Sequence, residues 1–174
     1  MDYGIYTYEH FFTQSELDHY IEYVKHPPSD SDAFTDNGYF KNFKVIRQSI
    51  ADTFYQRLIQ FQTEDRDRPF LRANHYVMAG HYKEGGQFGL HTDTGLYYNH
   101  ITKEGSRWTL LVYLNDNFTG GGTTFYSDSG EKIMTIQPKA GTALLFDIDR
   151  WHQGEPVTEG EKLWIGCEII GRLT

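Results

Sequence analysis

A chain of 174 residues fits one domain and can bury a real core, and its 39% apolar and 23% charged residues mark it as globular rather than disordered. A net charge of -8 argues against a nucleic-acid footprint, which needs a basic patch, and no apolar run approaches the roughly 18 residues that span a bilayer. Cys167 is the only cysteine, so no internal disulfide can form; with no signal-peptide pattern at the start, a reducing cytoplasm is the default expectation.

Residues 3–12 read as a short strand or extended lead-in. Thr13-Gln14-Ser15-Glu16 is a capping box, with Phe12 and Leu17 at the hydrophobic-staple positions. Leu17, Tyr20, Ile21 and Val24 then recur at helical spacing, which predicts a helix to about Lys25, ended by Pro27-Pro28. Residues 29–39 are loop by composition, either a lid or a solvated connector. Ile46, Ile50, Phe54 and Leu58 predict a second helix over 42–61, followed by a charged loop over 63–69.

From Phe70 the pattern changes to strands and turns. Strands are expected at 71–79, 88–92, 108–114, 123–126, 133–136, 142–146 and 163–170, with a polar loop at 94–107. Many short strands with Gly- and Pro-bearing turns point to a mainly β sandwich or barrel, residues 70–174, with residues 1–69 as a helical support. Neither βαβ alternation nor a glycine-rich nucleotide fingerprint is present.

The chemistry starts at His91-Thr92-Asp93. On extended backbone, side chains at i and i+2 share a face, so this imidazole and carboxylate can grip one ion. His152 is the candidate third ligand. Two histidines and one carboxylate, with the remaining positions open, suit non-haem Fe(II). With eight histidines in the chain, one H-x-D can also arise by accident. His75, His81 and His100 are read as structural. Spacing alone leaves Lys162 either a surface residue at a strand start or a buried ammonium that needs an anion, such as a dicarboxylate.

The distant motifs carry a resemblance. They run Tyr82-x-x-Gly85-Gly86-x-Phe88-x-x-His91-x-Asp93, Thr109-x-x-x-Tyr113-Leu114-Asn115 and Gly121-Gly122-Thr123-Thr124-Phe125. Pro138-Lys139-x-Gly141-x-Ala143-Leu144-x-Phe146 and His152-x-Gly154-x-Pro156-Val157-x-x-Gly160-x-Lys162 follow. In this order they resemble the Fe(II)- and 2-oxoglutarate-dependent dioxygenases, in their prolyl 4-hydroxylase-like branch, over about residues 76–166.

The resemblance implies a double-stranded β-helix, a cupin-like jelly roll with N-terminal supporting helices. It implies Fe(II) on His91, Asp93 and His152, and 2-oxoglutarate with its distal carboxylate on Lys162 and Tyr113. Tyr82 and Thr109 are further pocket candidates. O2 is the co-reactant, ascorbate an optional reductant, and succinate and CO2 the by-products. A carboxylate at position 93 leaves no site for a halide, so hydroxylation is expected over halogenation.

The substrate is open between a prolyl peptide and a small amino-acid-like molecule, and the sequence does not set the oligomeric state. Arg107 and Arg150 flank the metal segments and are expected in surface ion pairs ahead of substrate contacts. Tyr97, Tyr98 and Trp151 either stack on substrate or cover the barrel mouth. Two alternatives stand beside the oxygenase. One is a metal-dependent hydrolase, for which Glu155 and Glu161 are the acids nearest His152 on its C-terminal side; the other is a non-catalytic jelly-roll binding module.

Overall fold

The computed structural model describes residues 3–61 and 69–173. In chain order the elements are β1 Ile5–Tyr8, α1 Gln14–Lys25, β2 Asp32–Asp36, β3 Phe40–Ile46 and α2 Gln48–Leu58, with a 3-10 turn over Ile59–Phe61. The strands β4 Arg72–Lys83, β5 Phe88–His91, β6 Tyr98–Asn99, β7 Glu104–Tyr113, β8 Thr119–Gly120 and β9 Thr123–Tyr126 follow. Last come β10 Lys132–Ile136, β11 Ala143–Asp147, β12 His152–Gly154, β13 Val157–Glu159 and β14 Glu161–Arg172.

The α1 boundaries follow from local chemistry. The Thr13 hydroxyl accepts from the Glu16 amide at 3.3 Å, and the Glu16 carboxylate accepts from the Thr13 amide at 2.8 Å. Glu16 also binds Arg57 of α2 at 2.7 Å, so the cap ties the two helices together. Thr13→Ala should lower stability by about 1 kcal/mol, the usual worth of an N-cap hydroxyl, as read by urea denaturation.

Two sheets face each other. The large one runs β1-β11-β7-β14-β4-β3-β2, with β6 on the side of β7, and the smaller runs β10-β9-β12-β5. Side-chain alternation sorts the large sheet. Phe43 and Val45, Val77 and Ala79, Leu110 and Val112, and Ile165 and Cys167 turn to one face. There they pack with Phe11, Leu17, Val24, Phe54 and Leu58 from the lead-in and the helices. Each such Val, Leu, Ile or Phe side chain contributes about 1.5–3 kcal/mol by leaving water. Residues of opposite parity on the same strands, including Asn42, Tyr82, Tyr113, Lys162 and Trp164, face a cavity between the sheets. This is the double-stranded β-helix expected from the motifs.

The N-terminal segment differs from its expected form. β1 pairs with β11, and β2 and β3 extend the large sheet beyond β4, so this segment supplies strands as well as helices. The predicted helix over 42–61 is in fact β3 followed by α2. Ile46 stands at the same four-residue spacing as Ile50, Phe54 and Leu58 but is exposed, while Phe43 and Val45 bury at strand spacing. The 29–39 loop holds β2 and a hairpin turn. Asp36-Asn37-Gly38 is its signal: Gly38 has φ +86°, and the Asn37 side chain accepts from the amides of Tyr39 and Phe40. β2 is mostly exposed, which explains its loop-like composition. Within 94–107, β6 forms and β7 starts at Glu104, four residues before the expected strand at 108. The 63–69 loop lies outside the described residues except for Pro69. No helix among the described residues is long and apolar enough to cross a membrane.

Candidate active site

β5 and β12 are antiparallel neighbours, and their register sets the Cα of His91 opposite that of His152. Asp93 lies two residues beyond the end of β5, its amide bonded to the Ile148 carbonyl at 3.0 Å. One donor atom from each of these three residues lies within 4.8 Å of the other two. The Asp93 Oδ1 is 3.3 Å from His91 Nε2 and 3.8 Å from His152 Nε2. Donors bound to one ion at about 2.1 Å each stand about 3 Å apart, so the spacing fits a shared metal.

The outer nitrogens strengthen that fit. His91 Nδ1 is 2.7 Å from the Gly89 carbonyl, and His152 Nδ1 is 2.9 Å from the Arg150 carbonyl. A carbonyl only accepts, so each Nδ1 carries the hydrogen, and a metal would take the place of any hydrogen on the inward Nε2. Burial raises the Asp93 carboxyl, but the His91 hydrogen bond, the charge of His152 and the Thr109 hydroxyl outweigh it and hold it below the usual range. Burial also pushes His152 down, toward the neutral form a metal needs. Burial lowers His91 too, yet its bonds to Asp93 and Gly89 leave it raised overall.

The cavity continues past these residues to Lys162, with a volume of about 140 Å³. Lys162 is 5% exposed, and its Nζ donates to the Gly121 carbonyl at 2.6 Å. Among the described residues no carboxylate lies within ion-pair distance of it. Nζ stands 5.3 Å from the ring centre of Tyr113 and 5.8 Å from that of Tyr82. Desolvation pushes its pKa down to about 8. Gly121 must be glycine here: its φ is +65°, and a Cβ would lie 2.8 Å from Phe118 and 3.2 Å from the Lys162 side chain. A buried ammonium with two N–H groups to spare suits the far carboxylate of a short dicarboxylic acid.

The remaining pocket candidates have defined partners. The Tyr113 hydroxyl is 2.7 Å from Thr123 Oγ1, within the same cavity wall. Thr109 lines the cavity, but its hydroxyl is committed to Asp93 Oδ2 at 2.5 Å, so it serves the carboxylate ligand rather than the oxo acid. The Tyr82 hydroxyl takes hydrogen bonds from Asn42 and Trp164, while burial lifts its pKa to about 12. Asn42 and Trp164 were not foreseen. Trp164 was findable, since it shares a strand face with Lys162 two residues away; Asn42 was hidden by the mistaken helix.

Other expectations resolve outside the cavity. Arg107 curls over the Trp108 ring, and neither Arg107 nor Arg150 forms the expected ion pair among the described residues. Tyr97 lies under Arg72, while Tyr98 and Trp151 are exposed. His81 binds Glu161 at 2.6 Å, and His75 packs against Tyr76. Glu161 also holds Lys25, and Glu155 binds Thr124 and Gln153. Neither acid is free as a base beside a metal-bound water, which removes the footing of the hydrolase reading.

A sequence model of the 2OG-Fe(II) oxygenase superfamily matches residues 76–167, more than half of the chain. The chain belongs to this family, whose cofactors are Fe(II), 2-oxoglutarate and O2. It is similar to probable prolyl 4-hydroxylase 3 of Arabidopsis thaliana, with 25% identity over 90% of this chain and 66% of that protein. The chain spans 50 to 69% of the length of the curated relatives it matches. Two solved structures share the fold. The viral collagen prolyl hydroxylase of Paramecium bursaria Chlorella virus-1 in its 2OG complex gives a TM-score of 0.65, with 21% identity over 98% of this chain and 97% of that one. A prolyl hydroxylase from Trichoplax adhaerens, solved with a hypoxia inducible factor peptide fragment, gives 0.70, with 16% identity over 96% and 83%.

Proposed function

We propose that this chain is a 2-oxoglutarate-dependent oxygenase that hydroxylates a prolyl residue, or a small amino-acid-like substrate, with release of succinate and CO2. The observation that carries the reading is Lys162, a buried ammonium with no carboxylate partner among the described residues, in one cavity with His91, Asp93 and His152. His91, Asp93 and His152 hold the iron, and Thr109 fixes the angle of Asp93. Lys162 and Tyr113 take the distal carboxylate of 2-oxoglutarate, and Tyr82 walls the same end.

When bound, Fe(II) with 2-oxoglutarate and O2 supplies the oxidising power for decarboxylation and C–H hydroxylation. The protein orients the oxo acid between its two anchors and keeps water from a cavity lined by Phe88, Leu111 and Phe146. A peptide substrate is supported by the relatives named as prolyl 4-hydroxylases and by the fold neighbour solved with a peptide. A reducing, cytoplasmic setting goes with the reading.

Succinate formation by Fe(II)-loaded protein tests it, with a panel of prolyl peptides and free amino acids and mass spectrometry of each. A prolyl peptide should stimulate succinate formation and gain one oxygen atom. Stimulation by free amino acids alone would replace the peptide; no 2-oxoglutarate consumption with any substrate would end the oxygenase reading.

A further inference from the structure

Two of the three proposed ligands stand on paired strands, where backbone register fixes them. Asp93 does not. Among the described residues the chain between the end of β5 and the start of β6 has no ladder partner. The Ile148 carbonyl holds the Asp93 amide and Thr109 holds its carboxylate, while the contacts on the chain that follows converge on Glu168.

Glu168 is on β14, with its Cα opposite that of Thr109, and it is 2% exposed. The Leu96 amide, three residues after Asp93, donates to both carboxylate oxygens at 3.0 and 3.1 Å. The Ser106 hydroxyl donates at 2.5 Å and the Asn74 amide group at 3.0 Å. Ser106 Oγ in turn accepts from the Tyr97 amide at 3.2 Å, and its own amide donates to the Tyr97 carbonyl at 2.9 Å. Gly95 is packed against this knot; a Cβ there would lie 3.0 Å from Ser106 Cβ.

No cation lies within ion-pair distance of Glu168 among the described residues. A buried carboxylate without a cation is costly to keep, and three other segments turn donors toward it. Burial raises its carboxyl, with Ser106, Asn74 and Leu96 pulling the other way.

We infer that Glu168 is a positioning residue for the metal site: it fastens the chain after Asp93 to the large sheet and so fixes where the Asp93 carboxylate stands. The inference rests on the proposed metal ligands. In Glu168→Gln, one acceptor oxygen becomes an NH2 group. At least one of the Leu96, Ser106 and Asn74 donors then faces another donor, and the segment from Asp93 to Tyr97 loosens.

The test is titration of metal-free protein with Mn(II), following free Mn(II) by electron paramagnetic resonance, without cosubstrate or turnover. Glu168→Gln should bind Mn(II) more weakly than the unmutated protein, by up to about tenfold, the lower end of the loss for a group bonded directly to a ligand. Co(II) absorption bands should shift as well. Ser106→Ala keeps the carboxylate on Leu96 and should weaken Mn(II) binding less. A purely structural Glu168 would lower the melting temperature while the folded fraction kept its Mn(II) affinity and Co(II) spectrum, and that result overturns the inference. If Glu168→Gln does not fold, unchanged Mn(II) affinity in Ser106→Ala overturns it instead. Absence of Mn(II) binding by the unmutated protein would remove the metal reading itself.

Discussion

Asp93→Ala is expected to abolish Mn(II) or Fe(II) binding and 2-oxoglutarate turnover together. Asp93 is the one anionic donor in the trio, and its Oδ1 lies 3.3 and 3.8 Å from the inward nitrogens of His91 and His152. Its loss leaves two neutral imidazoles with no carboxylate for a hard divalent ion. Loss of an outer-sphere partner alone costs about ten- to a hundredfold, so removal of a ligand should exceed about a hundredfold. The fold should survive, because Asp93 lies outside the strand ladders and its amide bond to Ile148 is retained. His152→Ala should match it in activity. Full succinate production by either variant would sink the metal assignment.

Lys162→Ala should act differently, on cosubstrate affinity rather than on the metal. The ammonium is buried and its neighbours in the cavity are the Tyr82 and Tyr113 rings, so nothing nearby replaces its charge. Truncating one partner of a buried charged pair costs about 2–5 kcal/mol, so KM for 2-oxoglutarate should rise roughly thirtyfold or more. Mn(II) affinity should stay near that of the unmutated protein. A pH signature accompanies this. Burial lowers the pKa of the free enzyme's Lys162 to about 8. Below that pH the ammonium is already charged for the dicarboxylate. Above it, binding must first take up a proton, so affinity should fall with rising pH, by up to about tenfold per unit. Lys162→Ala should lose this dependence along with the affinity. An unchanged KM in the variant would remove Lys162 from the role.

Much of this site is legible in the sequence, for a physical reason. His91 and Asp93 are two residues apart, and short extended stretches impose a period of two whatever surrounds them. The α1 boundaries were legible for a similar reason, since Thr13 and Glu16 satisfy each other's orphan groups within a single turn. Where the reading failed, a local pattern was overruled by distant neighbours. Ile46 matched a helical repeat, but β4 offered a ladder to residues 40–46, and Phe43 and Val45 buried against the helices instead.

By itself, then, the sequence determined the kinds of donor present, the β-rich class and the start of α1, because these depend on residue type and on spacings of a few residues. Only the tertiary structure decided that His152 stands across from His91, through the β5–β12 register. It likewise decided that Lys162 is buried with no anion beside it among the described residues, that the Thr109 hydroxyl belongs to Asp93, and that the Leu96 amide, three residues after Asp93, bonds Glu168. Each joins residues between 16 and 72 positions apart or depends on how two sheets close over one another, and no local pattern carries that information.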